Sequence, residues 1–177
     1  PIVAAAAIIS PIIAKLGIEV NAHVSAIGNV KSKPIAQCPK KWQNVDCQLI
    51  RCQDPEAAVD MIKLVEDHRM NLDSVGSEVE LQISGMPMGI GEPWFDGIEP
   101  YLARAMMSIP AARGVEFGEG FAAIEMKGSE HNNPWGGSKD NPVMLGEKPD
   151  GALAGLSTGS DFFCKVAFKP PSSIPQE

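Results

Sequence analysis

Cysteines are scarce in this sequence, and long apolar runs are absent from it. Its 177 residues include only four cysteines: Cys38, Cys47, Cys52 and Cys164. They lack the paired close spacing of a zinc site and are too few for a disulfide-stapled scaffold, which favours free thiols in a reducing cytosol. The longest apolar stretch, residues 2–9, is much shorter than the ~20 residues of a membrane-spanning helix. We therefore expect a soluble, cytoplasmic protein.

Positive charge is also scarce. The 15 Lys and Arg residues are outnumbered by 22 Asp and Glu, which gives a formal net charge of -7. This balance argues against a nucleic-acid groove and against binding to an anionic membrane, since both need a basic face. The chain is 44% hydrophobic and 21% charged, a composition typical of globular proteins, and its length predicts a single domain over residues 1–177.

The first third of the chain carries both helical and strand patterns. Residues 2–16 are nearly all apolar, which predicts a helix buried on most sides with a kink or break at Pro11. Residues 18–26 alternate apolar and polar side chains, so we expect a strand with one face in solvent and with His23 on that face. Residues 31–52 show no clear period and are predicted to form a long surface loop.

Further elements follow from capping residues and periodicity. Asp54 precedes Pro55, a typical helix start, and the helix should run to about Met70. A strand should follow with Val79, Leu81 and Ile83 on one side. Asp96 is expected to cap a second helix whose inward residues are Ile98, Leu102, Met106 and Ile109, with Met107 also in the core.

The last part of the chain is predicted to contain short strands and loops. Strands are expected at residues 115–117 and 121–126, and a final strand should carry alternating Phe162, Cys164, Val166 and Phe168. Residues 85–96 and 128–151 are rich in Gly, Pro and Asn and read as loops. Together the elements predict an α+β domain.

The common catalytic signatures are missing from the sequence. It has no GxSxG, no P-loop and no GxGxxG motif after a strand. His23, His68 and His131 are too scattered to predict a metal centre, and an exposed loop histidine is the simplest interpretation of His131. Periodicity and spacing alone therefore do not predict a function.

A resemblance to a known family begins at residue 73. Residues 73–128 read DSVGSEVELQISGMPMGIGEPWFDGIEPYLARAMMSIPAARGVEFGEGFAAIEMKG. This stretch is similar to the chorismate synthase pattern GDSIGG, GVPxGLGEPVFD and AMMSIPAVKGVEIGDGF. LGIEVNAHV, GSEHNN, PDGALAGLSTG and VAFKPPSSI follow the same order as the family's LGIEVRGHV, GSENND, AGGILGGISNG and a strand ending in KPTSSI. The chain thus resembles the central portion of a chorismate synthase.

The resemblance implies a fold and an activity. The family has a three-layer α+β sandwich, with helices between antiparallel sheets, and is homotetrameric when full length. Its reaction is the last step of the shikimate pathway, a 1,4-anti elimination of phosphate from 5-enolpyruvylshikimate 3-phosphate that gives chorismate. It requires reduced FMN, and NADPH supplies the electrons in bifunctional members. The resemblance leaves open whether this protein reduces its own flavin.

Residues that contact FMN in the family carry over to eight positions: Pro110, Ala111, Ala154, Lys169, Pro170, Pro171, Ser172 and Ser173. Lys169 can meet an anionic part of FMN, and the serine hydroxyls and main-chain N–H groups suit phosphate oxygens. Two positions depart from the pattern. Pro171 replaces a threonine, and Ala154 stands where a family glycine contacts FMN.

Several family motifs have no counterpart in the sequence. The GESHG and RSSARET motifs, which carry catalytic histidines and phosphate-binding arginines, would precede residue 1, and an RxDPC segment would follow. Only four arginines occur: Arg51, Arg69, Arg104 and Arg113. We therefore assign no catalytic residue and no metal ligand, and we expect this portion alone to be inactive. One alternative is a truncated, non-catalytic relative that acts as a structural or flavin-binding module. Another is a flavin- or nucleotide-binding protein with different chemistry.

Overall fold

The computed structural model describes residues 1–38, 48–146 and 150–176. The helices are α1 (Ile2–Lys15), α2 (Pro55–Met70), α3 (Ile98–Met107) and α4 (Gly128–His131). The strands are β1 (Glu19–Ile27), β2 (Val30–Lys31), β3 (Ser77–Ser84), β4 (Ala112–Phe117), β5 (Trp135–Ser138), β6 (Asn141–Met144), β7 (Ala152–Leu153), β8 (Leu156–Ser157) and β9 (Phe162–Phe168).

The chain contains two compact units. Unit 1 comprises Pro1–Val20, Ile83–Tyr101 and Phe117–Phe163. Unit 2 comprises Asn21–Gln82, Leu102–Glu116 and Cys164–Glu177. The single domain expected from the length stays a prediction.

A five-stranded sheet and two small hairpins confirm the α+β class. The strand order in the large sheet is β2-β1-β3-β9-β4. Strands β1 and β2 form an antiparallel hairpin in which Ala26 lies opposite Lys31. Gly28 in the connecting turn has φ of +53°, a conformation in which glycine is not strained. The pairs β5–β6 and β7–β8 are also antiparallel.

Helix α2 begins as the capping residues predict. The Asp54 carboxylate accepts hydrogen bonds from the backbone N–H groups of Glu56 (3.1 Å) and Ala57 (3.4 Å), and Pro55 occupies the first turn. One side of α2 packs into an apolar cluster whose buried members are Ile27, Cys52, Ala57 and Met61. The predicted helix from Pro55 to Met70 is confirmed, because its cap and its apolar residues agree.

The prediction of a buried N-terminal helix was wrong. Helix α1 forms over the expected residues and contains Pro11, yet none of its 14 residues is buried. Ile2, Val3 and Ile8 are 82%, 83% and 73% exposed. The composition shows only that the helix is apolar on all sides. Burial also requires other residues to pack against those sides, and in the described part of the chain α1 stays exposed to solvent.

The predicted orientation of β1 was wrong in part: Ala26 is buried and Val24 packs against the apolar cluster, as expected, but the rest of the pattern differs. His23 and Ser25, expected in solvent, are buried, whereas Val20 and Ala22 on the expected core face are exposed. The reason is a set of polar partners on β3: Ser25 Oγ donates to Glu78 Oε1 at 2.8 Å, and His23 contacts Glu80. In β3, Leu81 and Ile83 are buried as predicted, but so are Glu80 and Gln82. Alternation cannot distinguish a solvated polar face from a buried polar face whose groups are paired.

The region around α3 differs in detail from the prediction. Asp96 lies in a 3₁₀ turn, Trp94–Asp96, and α3 starts at Ile98, so Asp96 does not cap it. Ile98 is buried, but Ile109 lies beyond the end of α3 and is exposed, and Met107 is 46% exposed. Leu102 and Met106 are half-buried, so the predicted inward side of α3 holds for its first three residues, and the helix ends before the fourth.

Three loop and strand predictions need correction. Gly120–Glu125, expected to be mainly strand, is a 3₁₀ helix. The polar stretch 128–151, expected to be loop, contains α4 and the β5–β6 hairpin in its described part.

Within residues 31–52, Ile35, Cys38 and Cys52 are buried rather than on the surface. Residues 39–47, including Cys47, lie outside the described part, and the thiols of Cys38, Cys52 and Cys164 are free, as predicted.

Candidate functional site

Two of the segments predicted to contact the cofactor are joined in unit 2. Ala111 directly precedes β4, and Lys169 directly follows β9, its neighbour in the sheet. The Lys169 N–H donates to the Ala111 carbonyl oxygen at 3.0 Å. Ala111 has φ of +70°, so its backbone takes a left-handed turn before the strand begins. The contact places the AMMSIPA motif next to the KPPSS motif.

The KPPSS segment is held by residues that the sequence analysis did not assign to the site. Ser74 Oγ donates to the Pro171 carbonyl oxygen at 2.5 Å, and Gln176 Nε2 donates to the Asn71 carbonyl oxygen at 2.5 Å. A Cβ atom at Gly76 would lie 3.0 Å from the Phe168 carbonyl oxygen. The DSVG motif therefore supports the KPPSS segment from one side. The signal in the sequence that could have pointed to the DSVG motif was its match to the family's GDSIGG.

The exposed groups of this segment suit an anionic cofactor. Lys169, Ser172 and Ser173 are exposed and supply an ammonium group and two hydroxyls. Ammonium and hydroxyl groups bind phosphate oxygens, and Pro170 and Pro171 restrict the backbone between them. Pro110 is exposed as well, and Ala111 is half-buried. The donor set therefore fits the phosphate-bearing part of FMN.

Ala154 lies in unit 1, at the tip of the β7–β8 hairpin. Ala154 and Gly155 have φ of +52° and +89°, as in a type I′ turn, so the alanine adopts a conformation that favours glycine. A Cβ atom at Gly155 would overlap the Glu92 carbonyl oxygen. The Gly155 carbonyl oxygen accepts from the Ile98 N–H at 2.9 Å. The turn that carries Ala154 is thus packed against the residues that lead into α3.

Ser157 anchors this hairpin to the glycine-rich segment 85–91. It is 2% exposed; its Oγ accepts from the Ile90 N–H at 2.9 Å and donates to the Pro87 carbonyl oxygen at 2.5 Å. A Cβ atom at Gly91 would overlap the Gly155 carbonyl oxygen, and one at Gly85 would overlap the Gly17 carbonyl oxygen. Glycine at these two positions allows the backbone of segment 85–91 to pack closely against other backbone. This packing is typical of an irregular loop and not of a phosphate-binding loop.

A buried polar cluster in unit 2 links β1, β3 and the segments before α2. His23 Nε2 lies 3.2 Å from Glu80 Oε2, and the Gln53 N–H donates to His23 Nδ1 at 3.2 Å. The Ile35 N–H donates to Glu80 Oε2 at 2.8 Å. The side chains of His23 and Glu80 are both at least 95% buried, so the imidazole and the carboxylate depend on these hydrogen-bond partners in place of water.

Opposing effects act on the His23 imidazole. Burial lowers the pKa of His23, but hydrogen bonds to Cys52 and Glu80 and the charge of Glu80 outweigh burial and raise it to about 9. The Gln53 N–H opposes this rise, since it donates to Nδ1 of a neutral ring. A buried carboxylate 3.2 Å away is the stronger influence, so we expect a pKa above the ordinary value. This cluster is structural, because it offers no exposed face to a ligand.

The remaining histidines also have nearby partners. His68 Nδ1 lies 2.8 Å from the Leu64 carbonyl oxygen near the end of α2, where the sequence placed it. His131 is in α4 rather than in an open loop, and its Nε2 lies 3.3 Å from Asp150 Oδ2. Within residues 1–38, 48–146 and 150–176, His, Cys, Asp and Glu side chains form no group of three that could hold a metal ion. The helices in that same part of the chain are all too short or too polar to cross a bilayer.

Comparison with known proteins decides the family. A family model described as chorismate synthase matches residues 1–177. The chain belongs to the chorismate synthase family. It is 39% identical over 172 residues to the chorismate synthase of Methanosarcina acetivorans, a match that covers 97% of this chain and 47% of that protein. It is 40% identical over 183 residues to the chorismate synthase of Aeropyrum pernix, covering 99% and 46% of the two chains.

A solved structure supports the same assignment. A crystal structure of chorismate synthase superposes with a TM-score of 0.80 at 25% sequence identity. The match covers 91% of this chain and 52% of the other. The chain therefore has the chorismate synthase fold, and it spans about half the length of the relatives that it matches.

Proposed function

We propose that this chain is part of a chorismate synthase. The longer protein would convert 5-enolpyruvylshikimate 3-phosphate to chorismate by 1,4-anti elimination of phosphate, as a cytoplasmic homotetramer. The observation that carries the proposal is the hydrogen bond between the Lys169 N–H and the Ala111 carbonyl oxygen. It joins two segments that the family resemblance assigns, independently of each other, to the flavin.

In this proposal the chain supplies part of the cofactor wall. Lys169 binds an anionic part of FMN, and Ser172 and Ser173 donate to phosphate oxygens. Pro110 and Ala111 offer a small, rigid surface against which a planar ring can lie. Pro170 and Pro171 belong to the same segment as Lys169, and Ala154, in unit 1, is assigned to the cofactor by the family resemblance alone. When bound, reduced FMN supplies electron density transiently while phosphate leaves, and NADPH would reduce it if the protein is bifunctional.

Catalytic groups are not assigned to this chain. Expulsion of phosphate requires a cationic clamp for the leaving group, and the family's arginine and histidine motifs for that step have no counterpart among its residues. The role proposed for this chain is to orient the flavin and exclude water from it, which is a positioning contribution to the reaction.

Flavin titration of the full-length protein with Lys169→Ala tests the proposal. We expect FMN to bind about five- to tenfold more weakly, because a charge-assisted hydrogen bond to phosphate is lost. Lys63→Ala is the matched control: Lys63 is an exposed lysine of unit 2 on α2, paired with Asp60, and should leave FMN affinity unchanged. Equal affinity of Lys169→Ala and the unsubstituted protein would remove the cofactor assignment of this segment.

A second measurement tests the reaction itself. Full-length protein with reduced FMN should convert 5-enolpyruvylshikimate 3-phosphate to chorismate. The reaction is measured as a rise in the absorbance of chorismate. A protein that binds FMN and leaves the substrate intact under reducing conditions would instead be a flavin-binding relative with different chemistry or none.

A further inference from the structure

The DSVG motif, residues 73–76, lies against the KPPSS segment, residues 169–173, within unit 2. The side-chain contact between them is made by Ser74, whose Oγ donates to the Pro171 carbonyl oxygen at 2.5 Å. These two residues are 97 positions apart in the sequence. Ser74 therefore attaches to the main chain in the middle of a segment whose side chains the family resemblance assigns to the cofactor.

The DSVG motif is itself held from its other sides. The Asp73 N–H donates to the His68 carbonyl oxygen, in the last turn of α2, at 2.9 Å. Val75 packs against the apolar cluster of α2. The Gly28 N–H, in the turn after β1, donates to the Gly76 carbonyl oxygen at 3.0 Å. The residues on both sides of Ser74 are thus bound to α2 and to the β1–β2 turn, so its hydroxyl is a fixed point for the KPPSS segment.

The two prolines explain why the segment needs a donor from outside. Pro170 and Pro171 have no N–H group, so only their carbonyl oxygens can hydrogen-bond this part of the main chain. The Lys169 N–H, which donates to the Ala111 carbonyl oxygen, is the last main-chain donor before them. Ser74 supplies a donor to the second proline, directly before the two serines. Its hydrogen bond holds the segment at the point where main-chain donors are missing.

We propose that Ser74 is a positioning residue for the cofactor. Its hydrogen bond to Pro171 holds the main chain that carries Lys169, Ser172 and Ser173, the three side chains with donors for phosphate oxygens. That Ser74 holds this segment concerns unit 2 alone, and the link to FMN rests on the proposed function. Ser74 touches neither the flavin nor the substrate in this role. Movement of the Pro171 carbonyl displaces the neighbouring donors and so weakens their hydrogen bonds to phosphate.

Hydrogen exchange of the full-length protein without FMN tests whether Ser74 holds the segment. In Ser74→Ala, the Lys169 amide should exchange about two- to fivefold faster, the lower part of the range for one neutral hydrogen bond, because this bond is exposed. Ser74→Thr should exchange as slowly as the unsubstituted protein, since threonine keeps the hydroxyl. Ser32→Ala is the matched control: it removes a hydroxyl of unit 2 that donates to the neighbouring Lys33 carbonyl oxygen at 2.9 Å, and it should change nothing. Unchanged exchange in Ser74→Ala, or equally fast exchange in Ser74→Thr, would overturn the inference.

FMN titration with the same variants tests the link to the cofactor. We expect Ser74→Ala to weaken FMN binding about two- to fivefold and to alter the visible circular dichroism of bound flavin, while Ser74→Thr and Ser32→Ala match the unsubstituted protein. Combined with Lys169→Ala, Ser74→Ala should weaken binding by less than the product of the two single effects, because both act on the same contact with phosphate. Faster exchange with unchanged FMN affinity would refute the link. Failure of the unsubstituted protein to bind FMN would refute the proposed function and the link together, while the exchange of the Lys169 amide would still decide whether Ser74 holds the segment.

Discussion

Replacement of Asp54 by alanine should destabilise the protein, because this carboxylate has two separate roles. It caps α2 by accepting from the Glu56 and Ala57 N–H groups. Its other oxygen, Oδ2, accepts from the Lys33 N–H at 3.1 Å and so ties the segment after β2 to the start of α2. Asp54 is 4% exposed, so water can replace these bonds only after local opening.

The magnitude follows from these bonds. Loss of an N-cap costs about 1 kcal/mol of the free energy of unfolding, and leaving the partly buried Lys33 N–H without an acceptor adds about 1 kcal/mol. The expected total is about 2 kcal/mol. With a urea m-value of about 2 kcal/mol/M, the unfolding midpoint should fall by about 1 M.

Two variants sharpen the measurement of urea unfolding. Asp54→Asn keeps a good capping oxygen and should lose less than half of the effect. Asp67→Ala removes an exposed carboxylate from the same helix and should change the midpoint by less than about 0.3 M. If Asp54→Ala unfolds at the same urea concentration as Asp67→Ala, the capping argument is refuted.

The pH dependence of this effect has a definite sign. Burial alone would raise the pKa of Asp54, but the N–H groups of Lys33, Ala57 and Glu56 outweigh it and hold the pKa below its ordinary value of 3.8. A depressed folded-state pKa stabilises the protein above the unfolded-state value and loses this contribution as the pH falls through the folded-state pKa. The difference between the unsubstituted protein and Asp54→Ala should therefore be full at pH 6 and should shrink below about pH 4. A difference that stays constant between pH 6 and pH 3 would contradict this account.

Two further predictions concern Ala154 and His23. Ala154→Gly should raise the free energy of unfolding by about 0.5–1 kcal/mol in chemical denaturation, because glycine adopts φ of +52° without strain. The greater entropy that glycine gives to the unfolded chain offsets only part of this stabilisation. Gly155→Ala should instead destabilise strongly, since its Cβ would overlap the Glu92 carbonyl oxygen; equal effects of the two changes would refute the turn geometry. The His23 pKa is raised from 6.5 to about 9, so its stabilising contribution should be complete below pH 6.5 and lost as the pH rises through about 9. The stability gap between the unsubstituted protein and His23→Gln should accordingly be larger at pH 6 than at pH 10, and a gap that widens with pH would show that the Gln53 hydrogen bond dominates.

The elements predicted best are those whose local signals agree. Asp54, Pro55 and the apolar residues of α2 each indicate the same helix, and the alternating residues of β9 are buried at 162, 164 and 166. The signals at Gly120–Glu125 were weaker, because a short apolar run between glycines suits a strand and a 3₁₀ helix equally well. The β5–β6 hairpin was missed because residues 135–144 offer few apolar side chains to mark its strands.

The candidate site was predictable only through motifs. Lys169, Ser172 and Ser173 form no pattern that periodicity could detect, and their assignment came from similarity to KPTSS. The supporting contacts of Ser74 and Gly76 were not foreseen, since they join residues almost 100 positions apart. Likewise, the sequence alone does not indicate that His131 lies 3.3 Å from Asp150.

The sequence by itself determined the α+β class, the position of most helices and strands, and membership of the chorismate synthase family. These depend on local propensity and on ordered motifs, which a linear chain records directly. Only the tertiary structure decided that His23 and Ser25 face inward, that α1 is left uncovered, and that Lys169 meets Ala111. Whether a side chain is buried or paired depends on residues distant in the chain, and the period of a pattern carries no information about those partners.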